Sequence, residues 1–287
     1  MTDRTRLALL LAPALLVMGG LFLTGLGFTL LRSLHYAPAL GQTRLDLSAY
    51  GEILTSPGFL KSLALSLWIA GASTLIAAVL AVAAALLLRQ TFAGRAMISF
   101  LVQLNLTVPH IVGAIGLLYL VSQSGALARL AYATGRITAP QDFPALTHDP
   151  AAIGIILLYV WKEMPFITLI LLANLQSIGT DHEATARSLG ATRWQAFRFV
   201  LLPLMLPGLA AASALVFAFA FGAYEVPLVL GAHAPKALPV LAWQTYTDTD
   251  LATRPEAMAM AVIIALFGFG LLLAYARVLR VWGSDAR

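Results

Sequence analysis

The stretch DHEATARSLGATRWQAFRFVLLP, residues 181–203, is a polar island between two long apolar segments of a chain that is 60% hydrophobic and only 11% charged. A segment this charged must face water. Its layout is ordered: Glu183-Ala184, then Gly190, then nine residues before Val200, a gap, Leu202 and Pro203. Asp181 is a suitable N-cap for a short helix, since its carboxylate can accept a bond from a first-turn amide. Gly190 supplies the left-handed residue that ends that helix and re-aims the chain. A second helix is predicted over Arg193–Leu202, with Trp194, Phe197 and Leu201 on one face that packs against the membrane helices.

Moving outward from the island, the flanking segments are long enough and apolar enough to cross a bilayer. A hydrocarbon core of about 30 Å needs roughly 20 such residues as a helix. Six segments qualify, at about 7–31, 64–88, 97–121, 151–177, 208–231 and 257–281, with the polar loop 178–207 between the fourth and fifth. The expected fold is therefore an all-α polytopic membrane protein, one transmembrane domain over residues 1–287. Runs of this length exceed what tilted barrel strands need, which argues against a β-barrel. The first segment follows Arg4 and Arg6, but its apolar run is longer than a secretory core and shows no small-residue cleavage site, so it is read as a retained anchor. A short surface helix is predicted over Leu47–Leu54, stopped at Ser56-Pro57-Gly58.

Charge orients the chain. With the N-terminus inside, one side collects Arg4, Arg6, Arg89, Arg95, Arg187, Arg193, Arg198, Arg277, Arg280 and Arg287 against Asp3, Asp181, Glu183 and Asp285, while the other side is balanced. Lysine and arginine enrichment marks the cytoplasmic side, so both termini and the polar loop are expected there. The net charge of +5 is a topology signal. No basic run interleaved with aromatics exists to bind nucleic acid. Cysteine is absent, which removes disulfides and thiolate metal sites.

The island's pattern resembles the EAA loop of ATP-binding-cassette (ABC) importer permeases of the MetI-like type: Glu-Ala-Ala, three residues, Gly, nine residues, Ile, one residue, Leu-Pro. Gly190, Val200, Leu202 and Pro203 are in register, whereas the motif's Glu-Ala-Ala lands on Ala184, Thr185 and Ala186, leaving Glu183 one position early. NLTVPHIVGAIG (105–116), YVWKEMPF (159–166) and GAYEVP (222–227) extend the likeness to the branch that imports polyamines, iron, thiamine and phosphonates. The resemblance implies six transmembrane helices, with the cytoplasmic coupling loop between helices four and five. It implies that Glu183, Ala184, Thr185, Ala186, Arg187, Ser188, Leu189 and Gly190 contact an ATPase. The implied partners are two ABC ATPase subunits, a second and homologous permease forming a heterodimer, a periplasmic or tethered solute-binding protein, and lipid. The location implied is the bacterial inner membrane, and the chain is expected to be non-catalytic, with ATP and Mg bound on the ATPases.

Inside the spans, Lys162, Glu163 and Glu225 need partners or water, because a central charge costs about 2.5–3.5 kcal/mol on insertion scales. At 1.5 Å per residue Lys162 and Glu225 lie nearly level, roughly 22 and 25 Å from the loop end. Lys162 is expected to face Glu225 or another interior acceptor, with Glu163 turned elsewhere. Pro109, Pro165 and Pro227 each free a carbonyl four residues earlier, at Asn105, Trp161 and Ala223. Broken backbone at membrane depth is tolerated in protein interiors or along wet cavities, which makes Asn105, His110, Tyr159, Trp161, Lys162, Glu163, Tyr224 and Glu225 the candidate lining of a passage.

No GxxxxGK[ST] phosphate loop is present, so energy must come from another chain. His182-Glu183 begins like a zinc-protease HExxH, but position 186 is Ala. The function expected is the permease subunit of an ATP-driven importer, forming half the path of a small polar solute such as a polyamine, thiamine, iron complex or phosphonate. The alternative is an ion-coupled secondary transporter, whose broken helices and buried charges would look alike. Glu163 and Glu225 suit a cationic solute, and Lys162 suits an anion equally well.

Overall fold

A computed structural model describes residues 3–36, 38, 43–179 and 181–284. Asp285 and Arg287, which enter the charge asymmetry, and residue 180 of the polar loop lie outside them. The described residues are mostly helical and form no strand. In chain order the helices are α1 (Asp3–Ser33), α2 (Ser48–Thr55), α3 (Pro57–Leu88), α4 (Arg95–Thr107), α5 (His110–Val121), α6 (Ala126–Ala133), α7 (Ile153–Ile178), α8 (Asp181–Ser188), α9 (Arg193–Ala196), α10 (Leu202–Gly222), α11 (Glu225–Leu230), α12 (Leu238–Tyr246) and α13 (Arg254–Ser284).

Among the described residues six helical stretches are long and apolar enough to cross a membrane: Leu9–Ser33, Pro57–Leu88, His110–Ala133, Ile153–Ile178, Arg193–Gly222 and Leu251–Arg277. The third and fifth differ from the sequence expectation, and proline explains both. Pro109 disfavours a helical residue before it; Val108 is extended, with ψ 123°, so the predicted 97–121 helix becomes α4 and α5. Pro227 would clash with the carbonyl of Ala223 in a continuous helix. Ala223 accordingly leaves the helix, with ψ 134°, and the chain restarts as α11 instead of running to residue 231.

The chain divides into two compact units, residues 1–60 with 238–266 and residues 61–237 with 267–287. In the first unit the apolar run of α1 is left unburied, as expected of a helix whose leucines meet lipid. Its end is held where Ser33 Oγ and Tyr50 OH of α2 share a 2.7 Å hydrogen bond. α2 stops at Thr55, before Pro57, close to where the sequence placed it. Arg254 caps the ring of Tyr246 at 5.4 Å, a cation–π contact tying α12 to the start of α13.

The second unit has a core set by residue size. Ala77, Ala81 and Ala85 repeat every four residues on α3 and are fully buried, packed with Ile167, Leu171 and Leu175 of α7 and with Met205, Ala212 and Val216 of α10. Lipid tails are as apolar as leucine, so helices in a bilayer gain by close van der Waals approach. A stripe of alanines permits that approach. Gly113 on α5 does the same against α7: a Cβ there would lie 3.2 Å from both Leu158 Cδ1 and Trp161 Cζ3.

Candidate functional site

Two constellations in the second unit carry the polar chemistry. The first is the island itself. α8 ends in a pair of backbone bonds, Gly190 N–H to Arg187 O at 3.0 Å and Ala191 N–H to Ala186 O at 3.1 Å, with Gly190 at φ +92°. This is the Schellman arrangement, which satisfies two terminal carbonyls and requires a left-handed residue at Gly190's position. The next helix begins with a reciprocal capping box: Thr192 Oγ1 accepts from Gln195 N–H at 3.2 Å, and Gln195 Oε1 accepts from Thr192 N–H at 2.8 Å. Asp181 is already inside α8 and is not its N-cap.

The second short helix also differs from expectation. It is helical only over Arg193–Ala196, passes through a wider π turn at Phe197–Leu201 and continues directly into α10. Leu201 is buried and Phe197 packs on the core, but Trp194 is 66% exposed, its ring tilted against Phe197 at 5.4 Å. Leu189 is 84% and Phe199 70% exposed. Ala184, Thr185, Arg187, Ser188, Leu189 and Gly190 are open to solvent, and Ala186 is half-buried. Glu183 is engaged: its carboxylate accepts from the Arg89 guanidinium at the end of α3. Arg89, Arg95, Gln176 and Glu183 border a cavity of about 380 Å³ under the loop.

The second constellation joins α4, α5 and α7. Pro109 leaves the end of α4 without its usual donors, and Lys162 Nζ fills the place, donating to Asn105 O and to Val108 O at 2.6 Å each. Pro165 removes the amide that would bond Trp161 O; Asn105 Nδ2 donates to that carbonyl. Each proline frees a carbonyl, and each freed carbonyl is taken by a side chain of the other helix. α7 runs unbroken through Pro165, whereas the chain divides at Pro109. Lys162 does not use Glu225: it takes the other kind of interior acceptor, backbone carbonyls at the negative end of a helix dipole. Its ammonium also lies 5.9 Å from the Trp161 ring.

Around this staple, Glu163 Oε1 pairs with His110 Nε2 at 2.8 Å. Phe219 of α10 lies 4.8 Å from the His110 ring and 6.3 Å, edge-on, from Tyr159. The hydroxyl of Tyr159 and Oδ1 of Asn105 are buried without a protein partner. Tyr224, Glu225 and half of Trp161 are exposed. The structure thus brings Asn105, His110, Tyr159, Lys162 and Glu163 together, with Trp161 at the edge, and sets Tyr224 and Glu225 at the α10–α11 break. Sequence reasoning missed Arg89 and Phe219, which no local signal distinguishes. It also missed the capping box, whose Thr-x-x-Gln spacing was readable.

Paired helix breaks around buried charge, with six helices long and apolar enough to cross a membrane, mark a multi-pass membrane transport protein. Residues 73–280 match the family described as binding-protein-dependent transport system inner membrane component. The chain belongs to this family, and it is the permease subunit of an ABC importer. It is 30% identical over 233 residues to the molybdenum transport system permease protein ModB of Mycobacterium tuberculosis, covering 79% of this chain and 84% of that one. To the trehalose transport system permease protein SugA of the same organism it is 29% identical over 217 residues, covering 74% and 68%. A bacterial ABC transporter that imports the acidic polysaccharide alginate shares the fold, with a TM-score of 0.76 at 19% identity over 97% of both chains.

Proposed function

We propose that the exposed loop 181–203 docks on a cytoplasmic ATPase and passes its movement to the membrane helices. The observation that carries this is mechanical. α9, the π turn and α10 are one continuous rod, so a push on the Gly190 turn, passed through Ala191 and the Thr192 capping box, reaches α10 along a single helix. The solvent-facing side of α8 and the exposed Leu189 supply the contact, while Arg89 holds Glu183 and anchors the loop to α3. This deepens the role of the displaced glutamate: it braces the loop from within.

In the same proposal two ATPases bind ATP and Mg, and both termini and the loop face the cytoplasm, following the arginine asymmetry. A second, homologous permease completes the passage, and an external binding protein delivers a small polar solute. Asn105, His110, Tyr159, Trp161, Glu163, Tyr224 and Glu225 border this chain's half of the path. Lys162 holds the broken helix in shape. Membership of the family favours this reading over an ion-coupled carrier.

The test uses the absence of native cysteine. A single Leu189→Cys is the only thiol in the chain, and a short bifunctional reagent should join it to the ATPase in membranes of the full complex. Asp142→Cys, in the opposite loop, should stay uncoupled. Joining at residue 142 and none at 189 refutes the docking surface.

A further inference from the structure

Resting on the reading that loop 181–203 faces the cytoplasm, we infer that the cavity beneath it binds the phosphate of an anionic phospholipid, held by Arg95 and Arg89, and that this lipid helps to anchor the loop. The cavity, of about 380 Å³, opens between the end of α3, the start of α4, the last turns of α7 and the first turn of α8; Arg89, Arg95, Gln176 and Glu183 border it with the apolar Leu172 and Leu175. Charge decides the occupant. Two guanidiniums line the cavity and one carboxylate answers them. Glu183 is spent on Arg89, and each of the two side chains keeps about a quarter of its surface in solvent. Arg95 is half-buried, and its guanidinium has no protein partner among the described residues. The cavity therefore lacks a single negative charge. A phosphodiester supplies one, and its two free oxygens accept the parallel N–H pair that a guanidinium presents. Phosphatidylglycerol carries that charge uncompensated. Phosphatidylcholine brings a quaternary ammonium with it and leaves the cavity as positive as before.

Position favours a lipid over a soluble anion. Arg89 follows directly on Leu88, the last residue of a membrane-crossing helix, which sets the cavity at the depth of the headgroups. Basic pockets between helices at the cytoplasmic surface are where anionic headgroups settle. Arg95, Ile98 and Leu101 follow one another at three-residue steps along α4 and so form one row, and both apolar members are exposed. A lipid whose phosphate sits at Arg95 can lay an acyl chain along that row, beside the exposed Leu87 of α3. Arg89 touches both Glu183 and the cavity. The bound phosphate thus joins the anchor of the loop, and its removal should loosen α8.

The experiment uses the full transporter, with its ATPases, partner permease and binding protein, in non-ionic detergent. Native mass spectrometry reads the lipid retained as phosphatidylglycerol, or phosphatidylcholine with the same acyl chains, is titrated in. Wild type should retain phosphatidylglycerol in preference. Arg95→Gln should weaken that retention about fivefold. Arg95→Lys should weaken it less, since the charge persists without the two-pronged donor. Arg6→Gln, which removes an arginine of the same side from α1, should leave it unchanged. Glycerol 3-phosphate, a head without tails, should not displace the lipid at millimolar concentration. Hydrogen exchange in α8 should slow with phosphatidylglycerol in wild type and not in Arg95→Gln. Equal retention of the two lipids, equal retention by wild type and Arg95→Gln, a loss in Arg6→Gln as large as in Arg95→Gln, displacement by glycerol 3-phosphate, or exchange in α8 indifferent to the lipid overturns the inference. The wild-type comparison of lipids decides it even where a variant fails to assemble. Retention is read without ATP turnover, so the two readings separate: preferred retention with no joining of residue 189 to the ATPase refutes the docking alone, and joining without preferred retention refutes the lipid site alone.

Discussion

The exchange of carbonyls between the two prolines makes a prediction with a defined sign. Asn105→Ala removes the donor to Trp161 O, leaving that part-buried carbonyl bare, at a cost of about 1–3 kcal/mol. In a Pro165→Ala background residue 165 has its own amide, one turn on from Trp161, and the helix satisfies that carbonyl itself. Asn105→Ala should then cost much less. Interhelical hydrogen bonds in bilayer proteins average about 0.6 and reach about 1.7 kcal/mol in double-mutant cycles. With no alternative donor for Trp161 O the coupling belongs near the top of that range, about 1–2 kcal/mol. Unfolding free energies of wild type, both single variants and the double variant in bicelles provide the cycle. Single-variant effects that add to within about 0.5 kcal/mol would refute the reciprocal staple.

Further outcomes follow from the same geometry. Lys162→Met should destabilise by about 2–4 kcal/mol by baring Val108 O and weakening the cap on Asn105 O, and Lys162→Gln, which can still donate twice, should lose less in the same unfolding assay. Ala81→Leu should cost about 1–3 kcal/mol by forcing α3 away from α7 and α10, read as a lowered Tm. Arg89→Ala should change unfolding by less than about 1 kcal/mol, since the pair is partly solvated, yet raise hydrogen exchange in α8. Bonds from the Thr138 amide and hydroxyl and the Ala139 amide hold the Asp142 carboxyl below the ordinary carboxylate range. The folded value is the depressed one, so this loop's stabilisation is present at neutral pH and fades as pH falls below about 4. Amide exchange at Thr138 and Ala139 should accelerate there and be fast at all pH in Asp142→Asn.

The sequence carried the family pattern, the six apolar stretches and the residues around which backbone is broken, because hydropathy and proline act locally. Gly190 was legible for the same reason: a left-handed turn residue has few substitutes. It did not show that Pro109 and Pro227 would divide their helices while Pro165 would not. The donors that serve the freed carbonyls, Asn105 for Trp161 O and Lys162 for Asn105 O, come from across space, and no spacing in one helix encodes the side chains of another. The same holds for Lys162, whose depth matched Glu225 but whose direction was set by the open end of α4. Trp194 was assigned to a packed face on helical periodicity; the π turn that follows changes the period, and the ring is left outside. Glu183 looked like a misplaced motif residue, and its partner Arg89 is too distant in sequence for any local pattern to link them.

The claim that this permease receives work through the Gly190 turn has one direct measurement. A Cβ at Gly190 would meet no atom within 4 Å in this chain, and only its φ of +92° resists substitution, at roughly 1–2 kcal/mol. Gly190→Val should therefore leave a folded, membrane-inserted protein. ATP-driven uptake by the reconstituted complex carrying that variant should fall to background, with ATP hydrolysis no longer responsive to solute. Uptake at the wild-type rate would contradict the account.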